Sequence, residues 1–139
     1  MEKIELNWKT FEKLLRKLPD EGVSDLLTTL DNRLVICPAT PRKDMYSCFP
    51  GGLVQHALDV TATMRRLNDA LDYGIDTLTI IKVGLLHDLG KVGDLENDYF
   101  VEQDSDWHRE KLGQLYKYNE NLNKMSVSHR TLFLLQSFD

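Results

Sequence analysis

The segment GLLHDLGKVGD, Gly84 to Asp94, constrains this chain more than any other. An apolar run, Ile80-Ile81-Lys82-Val83-Gly84-Leu85-Leu86, ends in a His-Asp pair followed by Leu, Gly and Lys. Unpaired buried charge is expensive, so an inward helix end must satisfy whatever charge it carries. His87 and Asp88 are therefore either a satisfied structural hydrogen bond or one side of a cation site.

Imidazole nitrogen and carboxylate oxygen are both good ligands for a divalent metal. Adjacent helical residues point about 100° apart, so an ion off the axis between them can be reached by both. A third ligand is expected from elsewhere. His56 lies 31 residues earlier in GGLVQHALDV, among Leu53, Ala57 and Val60 at helical spacing. The helices carrying the two histidines are joined by a short turn at Gly74 and should pack antiparallel. His56 then falls within roughly 8 Å of the depth of His87 along the helix pair.

The rest of the chain reads as further helices. Asn7 is a candidate N-cap for a helix over Trp8 to Leu18, broken by Pro19-Asp20-Glu21-Gly22. Ser24 starts a second, to about Leu34, with Leu26, Leu27, Leu30 and Leu34 inward. Cys37 to Pro50, CPATPRKDMYSCFP, holds three prolines and reads as a long structured loop. The long helix after Gly51-Gly52 is expected from Leu53 to about Tyr73, with Leu53, Ala57, Val60, Met64, Leu67 and Leu71 as its apolar stripe. Gly74 ends it. Asp76 or Thr77 caps the helix that runs to about Leu89. Tyr99-Phe100-Val101 and Gln114 to Tyr118 have strand-like composition. They pair as a small β-hairpin around a helical turn at Trp107 to Leu112, or else a continuous helix runs from Trp107 to Glu120. Ser126 or Ser128 caps a last helix with Leu132, Leu134, Leu135 and Phe138 apolar. The expected class is all-α, a helical bundle with a small β excursion between Tyr99 and Tyr118.

The chain has 139 residues, suited to a single domain over 1–139, of which 42% are hydrophobic and 28% charged. With 17 Lys and Arg against 22 Asp and Glu, the net charge is −5, which disfavours broad nucleic-acid binding. MEKIELNWKTFEKLL has no uninterrupted apolar core, so no secretory signal is expected there, and no run suits a membrane. Cys37 and Cys48 are expected to be reduced thiols in a cytoplasm rather than a disulfide or zinc site. The last apolar pattern stops in mid-course at Gln136-Ser137-Phe138-Asp139. It reads either as a chain truncated at its C-terminus or as a natural stop on a short helix.

His56, then His87-Asp88, then Gly90-Lys91 resembles the HD-domain superfamily of metal-dependent phosphohydrolases. PGGLVQHALDV, Pro50 to Val60, is similar to that family's first-histidine helix, and LLHDLGKVGD, Leu85 to Asp94, to its HD helix. A lone HD dipeptide carries no such information; HDLGK behind an apolar run, with GGLxxH upstream, does. The segments around Trp107 to Tyr118 and HRTLFLL resemble those of small HD proteins encoded by phages.

The resemblance implies an HD-fold helical bundle with His56, His87 and Asp88 as ligands of one divalent transition metal: manganese, iron, zinc, cobalt or nickel. Asp88 would also orient the attacking water, and Lys91 would neutralise a substrate phosphate, with Arg42 or Lys43 of the long loop as further contacts. The ion would activate water and polarise the phosphoryl oxygen under attack. The family closes its site with a later aspartate. Asp139 falls 51 residues after Asp88, an acceptable distance, but is the terminal residue. Some relatives are binuclear, with paired histidines before the Gly-Gly; Tyr46 and Ser47 stand there in this chain, so a second metal is not expected. His129 is a weaker candidate ligand and His108 is read as a surface residue.

The expected activity is hydrolysis of a phosphate ester or anhydride, most plausibly of a nucleotide. The alternative is a catalytically silent HD-fold module that senses a nucleotide or docks on a partner through an incomplete metal site.

Overall fold

The computed structural model describes residues 2–138. Six helices and one two-stranded hairpin follow in the order α1 (Glu2–Leu15), α2 (Val23–Ile36), α3 (Gly52–Leu71), α4 (Thr77–Leu86), a 3-10 turn (Leu89–Val92), β1 (Phe100–Glu102), α5 (Asp106–Leu112), β2 (Tyr116–Tyr118) and α6 (Val127–Gln136). The all-α reading with a small hairpin holds. β1 and β2 are antiparallel, with Phe100 opposite Tyr118 and Glu102 opposite Tyr116. The continuous helix from Trp107 to Glu120 does not form. Gly113, at φ 63°, caps α5 and turns the chain into β2.

α1 begins earlier than its expected cap. Asn7 lies inside the helix, and its side-chain amide donates to Gln55 Oε1 on α3 at 3.4 Å. Phe11 and Leu15 of α1 meet Leu26, Leu27, Leu30 and Leu34 of α2 and Leu53, Val54 and Ala57 of α3 in one core. Ile81, Leu85 and Leu89 complete it from the His-Asp side. The expected stripe of α3 is buried only in its first half. Leu67 and Leu71 are 51% and 56% exposed. A 20-residue helix is about 30 Å long, and the ten-residue α4 beside it is half that, so the last turns of α3 outrun the core. Asp72, in the left-handed region at φ 52°, caps α3 two residues before Gly74. Leu132 is also outside, at 61% exposure, while Leu134 is fully buried.

α4 starts where expected, with Asp76 accepting from the Thr79 amide at 3.3 Å. It stops at Leu86 rather than Leu89, and the chain tightens into the 3-10 turn. Contact with α6 explains the early stop. A Cβ on Gly90 would run into the Val127 carbonyl oxygen, and the Gly90 amide donates to Thr131 Oγ1 at 2.8 Å. Ser126, not Ser128, caps α6, accepting from the His129 amide at 3.1 Å. No described helix is long and apolar enough to cross a membrane. Cys37 and Cys48 are free thiols.

Candidate metal centre

α3 and α4 approach closely because Gly84 faces Thr61. A Cβ at Gly84 would fall on Thr61 Oγ1, closer than any real contact. Thr61 is buried, and its hydroxyl is turned back onto its own helix, donating to the Ala57 carbonyl at 2.8 Å. His56 stands five residues before Thr61 and His87 three after Gly84, so this contact sets the distance between the two imidazoles. Their ring centroids are 5.9 Å apart.

His87 is the C-cap of α4, and its Nδ1 lies 2.8 Å from the Gly84 carbonyl oxygen. A carbonyl only accepts, so Nδ1 carries the proton and neutral His87 presents the lone pair of Nε2. That backbone bond fixes the tautomer, as outer partners of metal-binding histidines do. Asp88 has left the helix, at φ −109° and ψ 19°. Its Oδ2 is 3.4 Å from His87 Nε2 and 3.9 Å from His56 Nε2. One ligand atom from each of the three residues lies within 4.8 Å of the others, and all three side chains are half-buried. Two imidazole nitrogens and a carboxylate oxygen suit a divalent transition ion, and the fixed tautomer of His87 leaves the right nitrogen free for it.

The electrostatics of the triad are asymmetric. His56 is held below the ordinary histidine value, because burial of the ring outweighs the attraction of Asp88. His87 is raised, first by its hydrogen bond to Asp88. Asp88 is lowered, first by that same bond. These shifts favour a neutral His56 and an ionised Asp88, the states a metal needs, whereas His87 must give up the Nε2 proton it shares with Asp88 before it can bind an ion.

Lys91 follows on the 3-10 turn. Its Nζ donates to the Ala39 carbonyl and the Tyr46 hydroxyl, both at 2.8 Å, and sits 3.6 Å from Asp88 Oδ2. The Tyr46 ring lies over His56, with centroids 4.4 Å apart. Tyr46 is a site residue that sequence reasoning registered only as a substitution for a histidine. The signal available was its place in the long loop just before Gly51-Gly52. That loop is pinned by Thr40, whose hydroxyl donates to the Tyr46 carbonyl at 2.6 Å, and by the Ala39 amide, which donates to the Ser47 carbonyl at 3.1 Å.

The other candidates are more remote in their bonding. Arg42 pairs with Asp44 at 3.2 Å and bridges to Gln114, and the Lys43 amide donates to the Gly113 carbonyl at 2.8 Å. Neither makes an ion pair or hydrogen bond to the triad among the described residues. His129 is exposed in the first turn of α6 and is not part of the ligand cluster among the described residues. His108 Nδ1 is 2.7 Å from Ser105 Oγ. Asp139 lies outside the described residues.

A family model, described as HD domain, matches residues 53–131, which is 79 of the 139 residues. The chain belongs to the HD-domain family. The match begins one residue after the glycine that opens α3 and ends on Thr131, so it spans His56, His87 and Asp88 and the α6 contact of Gly90. No match was found among curated proteins or among solved structures. HD-domain membership places the chain in a superfamily of metal-dependent phosphohydrolases, and within the matched segment His56, His87 and Asp88 form a cluster that could hold a metal ion.

Proposed function

We propose that this HD domain hydrolyses a phosphate ester or anhydride, with a nucleotide as substrate, using one divalent transition metal held by His56, His87 and Asp88. The observation that carries this reading is the convergence of two imidazoles and a carboxylate within 4.8 Å at the meeting of α3 and α4. A bound divalent ion supplies Lewis acidity toward a phosphoryl oxygen and acidifies water. Asp88, kept ionised by its surroundings, serves as ligand and as the acceptor that orients the attacking water. Lys91 offsets charge on the phosphate, with Arg42 and Lys43 as further contacts from the loop that carries Tyr46. Asp139 is the candidate for an additional ligand, ahead of His129.

Support for a nucleotide comes from the wall beside His87. An open cavity of about 370 Å³ is lined there by Val83, Leu86, Leu132 and Leu135. Its volume and apolar character suit the planar part of a substrate whose phosphate faces the triad.

Elemental mass spectrometry of the parent and a His87→Ala variant, followed by phosphate release from a panel of nucleotides with manganese or iron, tests the proposal. About one equivalent of metal in the parent, lost in the variant, together with release that falls at least about 100-fold in Asp88→Ala, supports it. Metal without turnover on any phosphorylated substrate would favour the sensing module instead. No metal in either protein, even after soaking, would mean that the site is incomplete, and the silent binding module would then lead.

A further inference from the structure

We propose that the chain carries a second anion site, apart from the metal centre, built around Arg130 and suited to a small phosphate-bearing ligand. Arg130 is only 4% exposed. Its Nη1 is the one buried side-chain nitrogen or oxygen without a hydrogen-bond partner among the described residues. Nη2 donates to the carbonyls of Asn123, at 3.0 Å, and Met125, at 3.4 Å. The guanidinium lies over the Tyr99 ring, 5.0 Å from its centre. No ion pair among the described residues includes Arg130. Carbonyls and a ring face soften the desolvation of a guanidinium, but only an anion supplies the charge its burial asks for.

The groups around that guanidinium are also a cavity wall. Tyr99, Tyr118, Asn123 and Met125, with Arg130 itself, line an open cavity of about 540 Å³, within the range of small-molecule sites. Lys124 stands exposed on the same wall and is in no ion pair among the described residues. The single carboxylate there is Glu120, on the exposed rim. Tyr118 is 53% exposed, and its ring packs 4.9 Å from that of Tyr99. A buried guanidinium with one unpartnered nitrogen, a second cation at the rim and an open aromatic face are the chemistry for a phosphate dianion carried by a ring-bearing molecule. A phosphate dianion, with more charge and more acceptor oxygens than a monocarboxylate, is the better match for two cations. Nη1 is itself buried, so occupation requires the Asn123–Met125 segment, whose carbonyls Nη2 holds, to give way. None of the cavity residues belongs to the metal triad.

The test is a titration of the metal-free, ¹⁵N-labelled full chain with inorganic phosphate at constant ionic strength, read by amide chemical shifts. Saturable shifts at Tyr99, Asn123, Lys124, Met125 and Arg130 are expected, with affinity falling about threefold or more in Lys124→Gln and about tenfold in Arg130→Lys. Should Arg130→Lys fail to fold, the shift map and the exposed Lys124→Gln variant decide. Adenosine monophosphate should bind more tightly than phosphate and lose that advantage in Tyr118→Ala. Shifts confined to His56, His87 and Asp88, shifts that rise without saturating, acetate matching phosphate, or indifference to Lys124→Gln would each overturn the site. Equal affinity for phosphate and adenosine monophosphate would overturn its aromatic part.

Discussion

Thr131 on α6 accepts a hydrogen bond from the amide of Gly90 at 2.8 Å, which ties the last helix to the backbone two residues beyond Asp88. The same hydroxyl donates to the Val127 carbonyl at 2.9 Å and lies 3.4 Å from the His87 carbonyl. Thr131→Val keeps the shape and deletes both bonds, leaving a buried amide unpaired. The expected cost is about 1–3 kcal/mol in denaturant unfolding. Because the His-Asp turn loses its anchor, metal affinity should fall along with stability. Unchanged affinity in a folded variant would show that the turn holds itself.

Gly84→Ala should separate α3 from α4. The added methyl has nowhere to go but Thr61, and overpacking of this kind costs about 1–3 kcal/mol. The informative measurement is the double variant Thr61→Ala/Gly84→Ala. If helix spacing sets the ligand geometry, the pair should recover much of the metal affinity that Gly84→Ala alone loses, a coupling that a double-mutant cycle reads directly.

The metal-free chain should have a pH window of its own. His87 is raised by its bond to Asp88, so its contribution is complete below the ordinary histidine value near 6.5 and is lost as pH rises through the higher folded value. Asp88 is lowered, so its contribution is complete above the ordinary carboxylate value near 3.9 and is lost as pH falls through the lower folded value. The pair therefore helps most between about pH 4 and 6.5. A metal needs His87 neutral, so affinity should climb as pH rises past that window, with protons released on binding. Melting curves of the metal-free protein and metal titrations at several pH values check the two halves separately. A His87→Gln variant should flatten the first.

The two thiols should differ in reactivity. Burial pushes Cys37 up to about 12, and its Sγ lies 3.4 Å from the Lys91 carbonyl oxygen. Cys48 is also raised by burial, but is less enclosed. A thiol-specific reagent at pH 8 should therefore modify one cysteine in the native protein, mapped to Cys48, and two after unfolding. Rapid modification of Cys37 in the folded chain would mean that the long loop opens beside the metal centre.

What the sequence made legible followed from local periodicity and local chemistry. The inward leucines of α2, the Asp76 and Ser126 caps and the His56–His87 meeting all depend on residues a few positions apart or on one antiparallel pairing. The errors came where distant packing decides. α4 stops at Leu86 because Gly90 must lie against the α6 backbone, and nothing within Ile80 to Leu89 reports that. Leu67 and Leu71 fit a helical stripe, but a stripe does not say where the neighbouring helix ends. Tyr46 reaches His56 through the course of a three-proline loop, which no periodicity describes. The Asn7 cap failed because α1 already begins at Glu2, which leaves Asn7 inside the helix with its side chain toward Gln55 of α3.

The contact between Gly84 and Thr61 has a consequence for how this centre can change. Where a side chain separates two helices, the gap between them can be widened or narrowed one methylene at a time. On the α4 side the spacer is bare main chain, which has no smaller version, so only the Thr61 side chain on α3 leaves room for the helices to close further. Every substitution at Gly84 moves the two imidazoles in the same direction, outward. Variation at Gly84 can thus only move the imidazoles apart, and any change that draws them together has to come from Thr61.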